Sequence, residues 1–464
     1  MSSSIGQAEA LAARVAPPAA WKPSRFNMWT RDSGGLLLVY NSFSSAFLEF
    51  RDQAADSVAA ILSGQAILET DDVVAALIAN GILVPLESDE LRRAQLLHQS
   101  LFESDQRLQL ILMPTEQCNF RCVYCYEDFA RGRMRREVIE GIVRLVEREA
   151  PKLRTLSIGW FGGEPLSALD VVEEISHRVL DICQANHIRY DADMTTNGYL
   201  LTTERATRCF AAHISKFQVT LDGPPETHNQ LRVLARGGDT FDKILTNLVS
   251  LRDQEAEFHV RLRVNFTPHT APAIPAFLQW LGSEFAGDHR FSISFHPVAH
   301  LGGPHDELIE VCDEKSADLH EIEFMGSALE SGFGLDAWKE DLQPFGHVCY
   351  AADPRSFVIG SDGTVYKCTV AFKDPRNQVG TISPDGELNV SDDLVELWTS
   401  SGEEVDTGCQ QCAVRPACQG NVCPLERLNT GGEKVCPPIK RHAGRILPLL
   451  ATEARRSVQE LEVR

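Results

Sequence analysis

The stretch Glu116-Gln117-Cys118-Asn119-Phe120-Arg121-Cys122-Val123-Tyr124-Cys125-Tyr126 places three thiols within eight positions. The residues just before it, LQLILM at 108–113, read as a buried strand, so the thiols lie on a tight loop at the carboxyl end of that strand. Three thiolates in this arrangement can bind three irons of a cubane cluster and leave the fourth iron open to another ligand. A structural zinc is the alternative, but it needs a fourth ligand close by and usually two pairs at C-x2-C spacing.

Strand-like and helix-like segments alternate from this region up to about Pro297. The apolar runs are LQLILM, TLSIGWF, YDADMTT, KFQVTL, FHVRLRVNF and FSISFHP. This alternation predicts a parallel sheet with helices outside, open or closed as a barrel, and six strands are two fewer than in a complete eightfold barrel. We expect one active site at the carboxyl ends of the strands, where barrel enzymes carry theirs. The polar and glycine residues that follow the strands are Cys118, Cys122, Cys125, Gly162-Gly163-Glu164-Pro165, Thr196-Asn197-Gly198, Thr220, Asp222, Gly223, Asn265 and His296.

Two further regions flank the alternating one. Strand-like residues around the turn Asp32-Ser33-Gly34-Gly35, followed by two helical stretches, are typical of a small winged-helix-like α+β unit, although a mere brace for the next domain is the alternative. Residues 347–437 are rich in cysteine, glycine and proline, so we expect bound metal to hold them together. We therefore divide the chain into a winged-helix-like unit at 1–105, the alternating region at 106–300, a linker at 301–346, the cysteine-rich region at 347–437 and a charged helix at 438–464.

Charge and composition exclude several classes of function. The 44 basic and 65 acidic side chains give a formal charge of −21, which repels phosphate backbones, so we expect no nucleic-acid partner. The first twenty residues lack the features of a secretory signal, and we expect a cytoplasmic protein with reduced thiols. The longest apolar stretch, Val73 to Leu86, is shorter than the roughly 20 residues of a transmembrane helix and predicts no membrane partner.

The cysteine loop with Tyr124 before its last cysteine, followed by Gly162-Gly163-Glu164-Pro165, resembles the radical S-adenosylmethionine (radical SAM) superfamily. The resemblance covers residues 107–300. It implies a partial (β/α)6 barrel, a 4Fe-4S cluster on Cys118, Cys122 and Cys125, and S-adenosylmethionine bound to the open iron. Cleavage of S-adenosylmethionine would then give a 5′-deoxyadenosyl radical that abstracts a hydrogen atom from a substrate.

The same resemblance implies contacts to S-adenosylmethionine. Gly162, Gly163, Glu164 and Pro165 would meet its methionyl amino group, where Glu164 offers a carboxylate to an ammonium. Thr196 and Asn197 resemble residues that line the adenosyl site. Thr220, Asp222, His228 and Arg232 resemble a family signature for the ribose and the carboxylate, with Thr220 in place of serine and Asn229 in place of aspartate.

Seven C-terminal cysteines resemble the SPASM extension of peptide-modifying radical SAM enzymes, which holds two auxiliary 4Fe-4S clusters. By that resemblance one cluster would have the ligands Cys409, Cys412, Cys418 and Cys436, and the other Cys349, Cys368 and Cys423. The gap between Cys418 and Cys423 is longer than is usual in the family, and Gln343 stands where some members have an additional cysteine. The second cluster would keep an open iron or take His347, Cys312 or a substrate thiol. A zinc ribbon is the alternative, but seven cysteines fit it poorly.

Together these regions imply a peptide maturase. The N-terminal unit resembles the winged-helix leader-recognition elements of such enzymes, where an extended leader adds a strand to an exposed sheet edge. We expect a ribosomally made precursor peptide and a flavodoxin- or ferredoxin-type electron donor as partners, and a thioether or carbon–carbon crosslink as product. One alternative is formylglycine formation on a protein Cys or Ser, as in anaerobic sulfatase maturases, where an aspartate follows the second SPASM cysteine; here Thr369 follows Cys368. The other alternative is a non-catalytic protein whose iron-sulfur clusters serve only in binding or electron relay.

Overall fold

The computed structural model describes residues 20–65, 72–402 and 405–462. The expectation about a secretory signal concerns residues 1–20, which lie almost entirely outside this part. Within the described ranges, no helix combines the length and the apolar character that crossing a bilayer requires.

The N-terminal unit is a three-stranded antiparallel sheet with helices packed on it. Its elements are β1 (Trp21–Pro23), β2 (Asn27–Arg31), β3 (Leu37–Asn41), β4 (Phe47–Phe50), α1 (Asp52–Leu62), α2 (Asp72–Ala79), β5 (Leu83–Pro85) and α3 (Glu90–Phe102). Strands β2, β3 and β4 pair in that order, and β1 pairs with β5. All of β3 is buried, because Leu37 and Val39 pack on α1 and α2 while Leu38 and Tyr40 face the main core. The predicted hairpin and the two helices after it are confirmed.

The middle of the chain is the partial barrel that the sequence predicts. Its strands are β6 (Arg107–Leu112), β8 (Thr155–Trp160), β9 (Arg189–Thr196), β10 (Lys216–Thr220), β12 (His259–Phe266) and β13 (Phe291–Pro297), which pair in parallel in that order. A separate ribbon joins β7 (Phe120–Cys122) to β11 (Arg232–Leu234). The helices are α4 (Arg136–Glu149), α5 (Leu169–Ala185), α6 (Thr203–Ala211), α7 (Pro225–Leu231), α8 (Phe241–Arg252) and α9 (Ile274–Phe285). In α4, for example, Val138, Ile142 and Val146 recur every four residues and form its buried face.

Residues 301–346, where the sequence predicts a linker, contain two helices, α10 (Glu314–Glu330) and α11 (Asp336–Leu342). Helix α10 contacts α9 and β13 of the barrel on one side and the C-terminal helix on the other. Its Phe324 packs against Phe266 and Phe295 of the barrel strands. A helix buried on two sides has no single apolar stripe, and for that reason its sequence lacks the helical periodicity that would have revealed it.

The C-terminal region continues the barrel sheet. Strand β14 (Ser356–Ile359) pairs in parallel with β6, and β15 (Thr364–Tyr366), β16 (Gln378–Ile382) and β17 (Leu388–Val390) follow in antiparallel order, which gives ten strands in the described sheet. The remaining helices are α12 (Asp392–Thr399), α13 (Thr407–Gln410), α14 (Arg415–Cys418), α15 (Pro424–Asn429) and α16 (Pro438–Glu462). The sequence did not predict that this region shares a sheet with the barrel.

The N-terminal unit docks on the cysteine-rich region. Arg25 donates from Nη1 to the carbonyl of Gln410 at 3.2 Å, and the Ser42 hydroxyl bonds to the carbonyl of Ala413. Helix α16 also packs against β2 and β3. These contacts place the unit beside the C-terminal thiols.

Candidate active site

The cysteine loop is fixed by the strand that carries Arg232. Strands β7 and β11 pair antiparallel, and their register sets Cys122 opposite Arg232. The amide of Val123 donates to the carbonyl of Leu231 at 2.9 Å. Two predicted site residues from distant parts of the chain are thereby brought together.

Two glycines after β8 let the chain approach the cysteine loop closely. Gly162 has a φ of +101°, in the left-handed region, and a Cβ there would lie 2.4 Å from the carbonyl oxygen of Thr115. A Cβ on Gly163 would lie 2.4 Å from the carbonyl oxygen of Gln117, the residue before Cys118. A side chain at either position would therefore displace the loop that carries the thiols.

The carboxyl ends of the barrel strands surround a cavity of about 260 Å³. The wall contains Thr369 and Val370, so the C-terminal region takes part in it. The predicted site residues that line the cavity are Cys118, Cys122, Tyr124, Cys125, Gly162, Gly163, Thr196, Asn197, Thr220, Arg232 and Asn265. The predicted residues that do not line it are Glu164, Pro165, Gly198, Asp222, Gly223, His228 and His296.

The Glu164 carboxylate is buried behind the cavity wall. It accepts hydrogen bonds from the amide of Leu166 at 3.0 Å, the hydroxyl of Thr196 at 2.7 Å and the amide of Asn197 at 2.8 Å. Burial raises the pKa of Glu164, and these donors oppose the shift. Through these hydrogen bonds the Glu164 side chain positions Thr196 and Asn197, two residues of the cavity wall.

Asp222 is also buried and supports two residues of the wall. One of its oxygens accepts from the Tyr124 hydroxyl, and the other accepts from the amide of Asn265 at 2.9 Å. Arg232 donates from Nη1 to the Tyr124 hydroxyl oxygen at 2.7 Å and lies 3.9 Å from the Asp222 carboxylate. Burial raises the pKa of Asp222, while the charge of Arg232 opposes that shift. Asp222 thus holds Tyr124 and Arg232 in place rather than facing the cavity.

The neighbouring His228 and Asn229 also have structural partners. His228 accepts the amide of Asp222 on Nδ1 at 3.2 Å, and burial lowers the pKa of His228 to about 2, which keeps the ring neutral. Asn229 accepts the amides of Thr240 and Phe241 on Oδ1, each at 3.0 Å, at the start of α8. Asparagine keeps the acceptor oxygen that an aspartate would offer here.

Several cavity residues were missed by sequence reasoning: Tyr126, Glu127, Phe161, Gln218 and Arg263. Arg263 donates from Nε to Asn265 Oδ1 at 2.8 Å, and burial lowers the pKa of Arg263. A signal existed in the strand FHVRLRVNF, where Arg261, Arg263 and Asn265 alternate with apolar residues. Since alternate residues of a strand share one face, these polar residues mark a face directed into the barrel.

The C-terminal cysteines come together in two groups. Burial is the larger cause of the raised pKa of Cys349 and of Cys368, and it brings the pKa of Cys349 to about 12. Cys368 and Cys423 also raise the pKa of Cys349, and Cys423 raises that of Cys368. The second group lines one small cavity and consists of Cys409, Cys412, Cys418 and Cys436. This grouping agrees with the predicted division. All thirteen cysteines are free, and Cys183 and Cys209 are buried.

His347 and Cys312, the other candidate ligands, have different surroundings. His347 lines a separate cavity with Glu321 and Asp341. The charged neighbours of Cys312 are Asp313 and Glu310.

The thiol groups suit iron-sulfur clusters. Burial raises the pKa of Cys418 to about 12 and that of Cys368 to about 11, so these thiols resist ionisation unless a cation compensates the charge. Iron would provide that cation, and thiolate is a preferred ligand of iron in such clusters. In the described ranges, no three His, Cys, Asp or Glu side chains are placed so that they could hold a single metal ion.

Known proteins share this architecture. The family model described as the radical SAM superfamily matches residues 112–264. A cysteine-type anaerobic sulfatase-maturating enzyme of Clostridium perfringens (strain ATCC 13124) is 32% identical over 337 residues, which cover 68% of this chain and 88% of the relative. The enzyme of the same name from Clostridium novyi (strain NT) is 25% identical over 339 residues, covering 67% and 87%. The solved structure of native anSMEcpe with bound AdoMet and the Kp18Cys peptide has a TM-score of 0.50 and 18% identity, covering 75% of this chain and 99% of that one.

The fold and the thiol-lined cavity define an α/β enzyme of iron-sulfur chemistry. The chain belongs to the radical SAM superfamily, whose members bind S-adenosylmethionine and a 4Fe-4S cluster.

Proposed function

We propose that this enzyme matures a ribosomally made precursor peptide by joining two of its side chains through a thioether or a carbon–carbon bond. The observation that carries the proposal is the wall of the 260 Å³ cavity, which combines the cysteine loop with Thr369 and Val370. A peptide side chain that entered this space would lie between the two thiol-rich regions of the chain.

The cysteine loop would bind the catalytic 4Fe-4S cluster through Cys118, Cys122 and Cys125. With S-adenosylmethionine bound, this cofactor pair supplies a 5′-deoxyadenosyl radical that abstracts a hydrogen atom. Residues of the wall would orient the ligand. Gly162 and Gly163 line the part of the cavity where its methionyl group would lie, and the Arg232 guanidinium would offer a cation to its carboxylate.

The C-terminal thiols would bind two auxiliary 4Fe-4S clusters, one on Cys409, Cys412, Cys418 and Cys436 and one on Cys349, Cys368 and Cys423. The second set has three thiols, whereas His347 lines a separate cavity and the charged neighbours of Cys312 are Asp313 and Glu310. We therefore favour a thiol of the substrate as the fourth ligand, which would suit thioether formation. A flavodoxin- or ferredoxin-type protein would supply the electron for the catalytic cluster.

The N-terminal unit would bind the leader of the precursor. Among the described strands, β2 and β4 each pair with β3 alone within their sheet, so each has an unpaired edge. The amide of Asn41 donates to the carbonyl of Ala46, and the alternation of an antiparallel ladder then turns the backbone groups of Phe47 and Glu49 outward. An extended leader can pair with these groups as an added strand.

Formylglycine formation is the second candidate, because the two relatives from Clostridium described above are sulfatase-maturating enzymes. Thr369 argues against it. The Thr369 hydroxyl bonds to that of Tyr350 at 2.6 Å, and a hydroxyl does not take up a proton at neutral pH as a carboxylate does.

The deciding experiment incubates the anaerobically reconstituted holoenzyme with reductant, S-adenosylmethionine and the short peptides encoded beside its gene. A crosslink removes two hydrogens from a peptide and blocks fragmentation between the joined residues in tandem mass spectrometry, and we expect this result. A formylglycine product would instead react with a hydrazide probe. Deoxyadenosine formed beside unmodified peptides would reject the crosslinking proposal, and Cys122→Ala, which should cleave no S-adenosylmethionine, is the control.

Leader binding can be tested at Glu49 with a matched pair of variants. Glu49→Pro removes an outward amide, whereas Glu49→Ala keeps the amide and loses only the side chain, including its 3.3 Å ion pair with Arg455. We expect Glu49→Pro to weaken precursor binding about tenfold, or ~1.4 kcal/mol, and Glu49→Ala to bind like the wild type in fluorescence anisotropy. Equal weakening in both variants would reject pairing at this edge.

A further inference from the structure

Two lysine ammonium groups contact sulfurs of the four-thiol group. Lys440, in the first turn of α16, donates from Nζ to Cys436 Sγ at 3.2 Å. Lys434 donates from Nζ to Cys409 Sγ at 3.6 Å. The first and the last cysteine of this group in chain order, Cys409 and Cys436, therefore each accept a hydrogen bond from a lysine ammonium.

Local structure fixes the position of Lys434. Its ammonium is also 3.0 Å from Oδ2 of Asp406, whose other carboxylate oxygen accepts the amide of Cys409 at 3.0 Å. Asp406 thereby ties the lysine to the turn that presents Cys409. Lys440 is exposed, and an exposed lysine ammonium carries its positive charge at neutral pH.

The three-thiol group lacks an equivalent contact among the described hydrogen bonds. The lysine nearest in sequence is Lys367, which is buried and donates from Nζ to the carbonyls of Asp353 and Ser356, each at 2.6 Å. The hydrogen bonds to the sulfur of Cys368 come instead from backbone amides and from the Tyr350 hydroxyl. The two groups of thiols thus differ in whether a side-chain cation donates to sulfur.

This difference has a redox consequence. Reduction of an iron-sulfur cluster adds one negative charge, part of which resides on its sulfurs. Hydrogen bonds to those sulfurs and nearby positive charge stabilise the reduced state more than the oxidised one. Charge-assisted hydrogen bonds are also stronger than neutral ones.

We propose that Lys434 and Lys440 are positioning residues that raise the reduction potential of the cluster on Cys409, Cys412, Cys418 and Cys436. The proposal rests on the ligand assignment made under the proposed function.

The experiment is a potentiometric titration of the reconstituted holoenzyme, followed by electron paramagnetic resonance in a Cys122→Ala background that removes the catalytic cluster. Lys440→Met should lower the equilibrium constant for reduction about tenfold, which is a shift of about 59 mV for one electron. Lys440→Arg keeps a cationic donor and should restore most of the potential. Lys434→Met should shift it in the same direction, and Lys315→Met, which removes an exposed lysine of α10, should leave it unchanged.

The second auxiliary cluster is an internal reference, because its potential should not move in the lysine variants. An unmoved potential in both Lys434→Met and Lys440→Met, with all iron retained, would overturn this inference and leave the ligand assignment intact. If Cys412→Ala lost neither iron nor a resonance signal, the ligand assignment would fall, and this inference with it.

Discussion

At the scale of single residues, burial changes the acidity of two carboxyl groups outside the active site. Glu321 and Asp341 line a cavity of about 120 Å³ together with His347. Burial raises the pKa of each carboxyl to about 7, and nearby carboxylates add to the shift. Burial also lowers the pKa of His347 to about 4, so the imidazole offers no positive charge to them at neutral pH.

These shifts predict a pH dependence of stability. The pKa of Glu321 rises from 4.5 in the unfolded chain to about 7 in the fold, so its contribution is fully present below the first value and is lost as the pH rises through the second. Glu321→Gln is neutral at every pH and keeps an oxygen for the Trp338 indole, which donates to it at 2.9 Å. As the pH rises from about 5.5 to 8, the free energy of unfolding should therefore fall less in the variant than in the wild type. The difference between the two decreases should be about 1–3 kcal/mol.

Thermal unfolding of both proteins across this range measures the difference. Glu330→Gln, an exposed change on the same helix, should follow the wild type. Parallel curves for Glu321→Gln and the wild type would contradict the raised pKa.

Residue identity predicted the thiols but not the orientation of the acidic side chains. Cys118, Cys122 and Cys125 lie on one loop, so their spacing can be read from a short stretch of sequence. The direction of the Glu164 carboxylate depends on Thr196 and Asn197, which a different strand supplies. Such a partner is visible only after the sheet has formed.

At the scale of elements, the turn after β8 fixes the position of the cysteine loop. The carbonyl oxygen of Gln117 lies only 2.4 Å from the position that a Cβ of residue 163 would take, and the Glu164 amide donates to the same carbonyl at 3.1 Å. The turn and the loop therefore cannot separate without breaking this hydrogen bond.

Gly163→Ala should shift the loop and impair the catalytic cluster alone. We expect S-adenosylmethionine cleavage to fall at least about tenfold, because misplacement of a reacting group by about 1 Å costs up to a hundredfold in rate. The auxiliary clusters should keep their resonance signals. Gly132→Ala is the matched control, since nothing lies within 4 Å of its Cβ position; an equal loss of cleavage in both variants would refute the role of the turn.

Elements were predictable where one face alone is buried. Helix α4 has a regular apolar stripe and was identified, whereas α10 packs on both the barrel and α16 and was not. Strand β14 has only four residues, all buried, and such a short apolar run does not reveal its partner.

At the scale of the whole molecule, the three thiol groups predict the metal content. The reconstituted enzyme should bind about twelve irons per chain, four for each 4Fe-4S cluster. Cys122→Ala and Cys412→Ala should each retain about eight irons, since each change removes a ligand of a different cluster. Anaerobic iron and sulfide analysis measures this, and about four irons in the wild type would reject the auxiliary clusters.

The parallel pairing of β6 with β14 has a consequence for protein engineering. Strand β6 leads directly into the cysteine loop, and β14 occupies its outer edge over Gln109 to Leu112. A chain cut after residue 300 would leave this edge open to pairing with other molecules. Residue 300 is therefore an unsuitable point for truncation or for grafting a foreign C-terminal region. A functional chimera must keep β6 and β14 from the same parent.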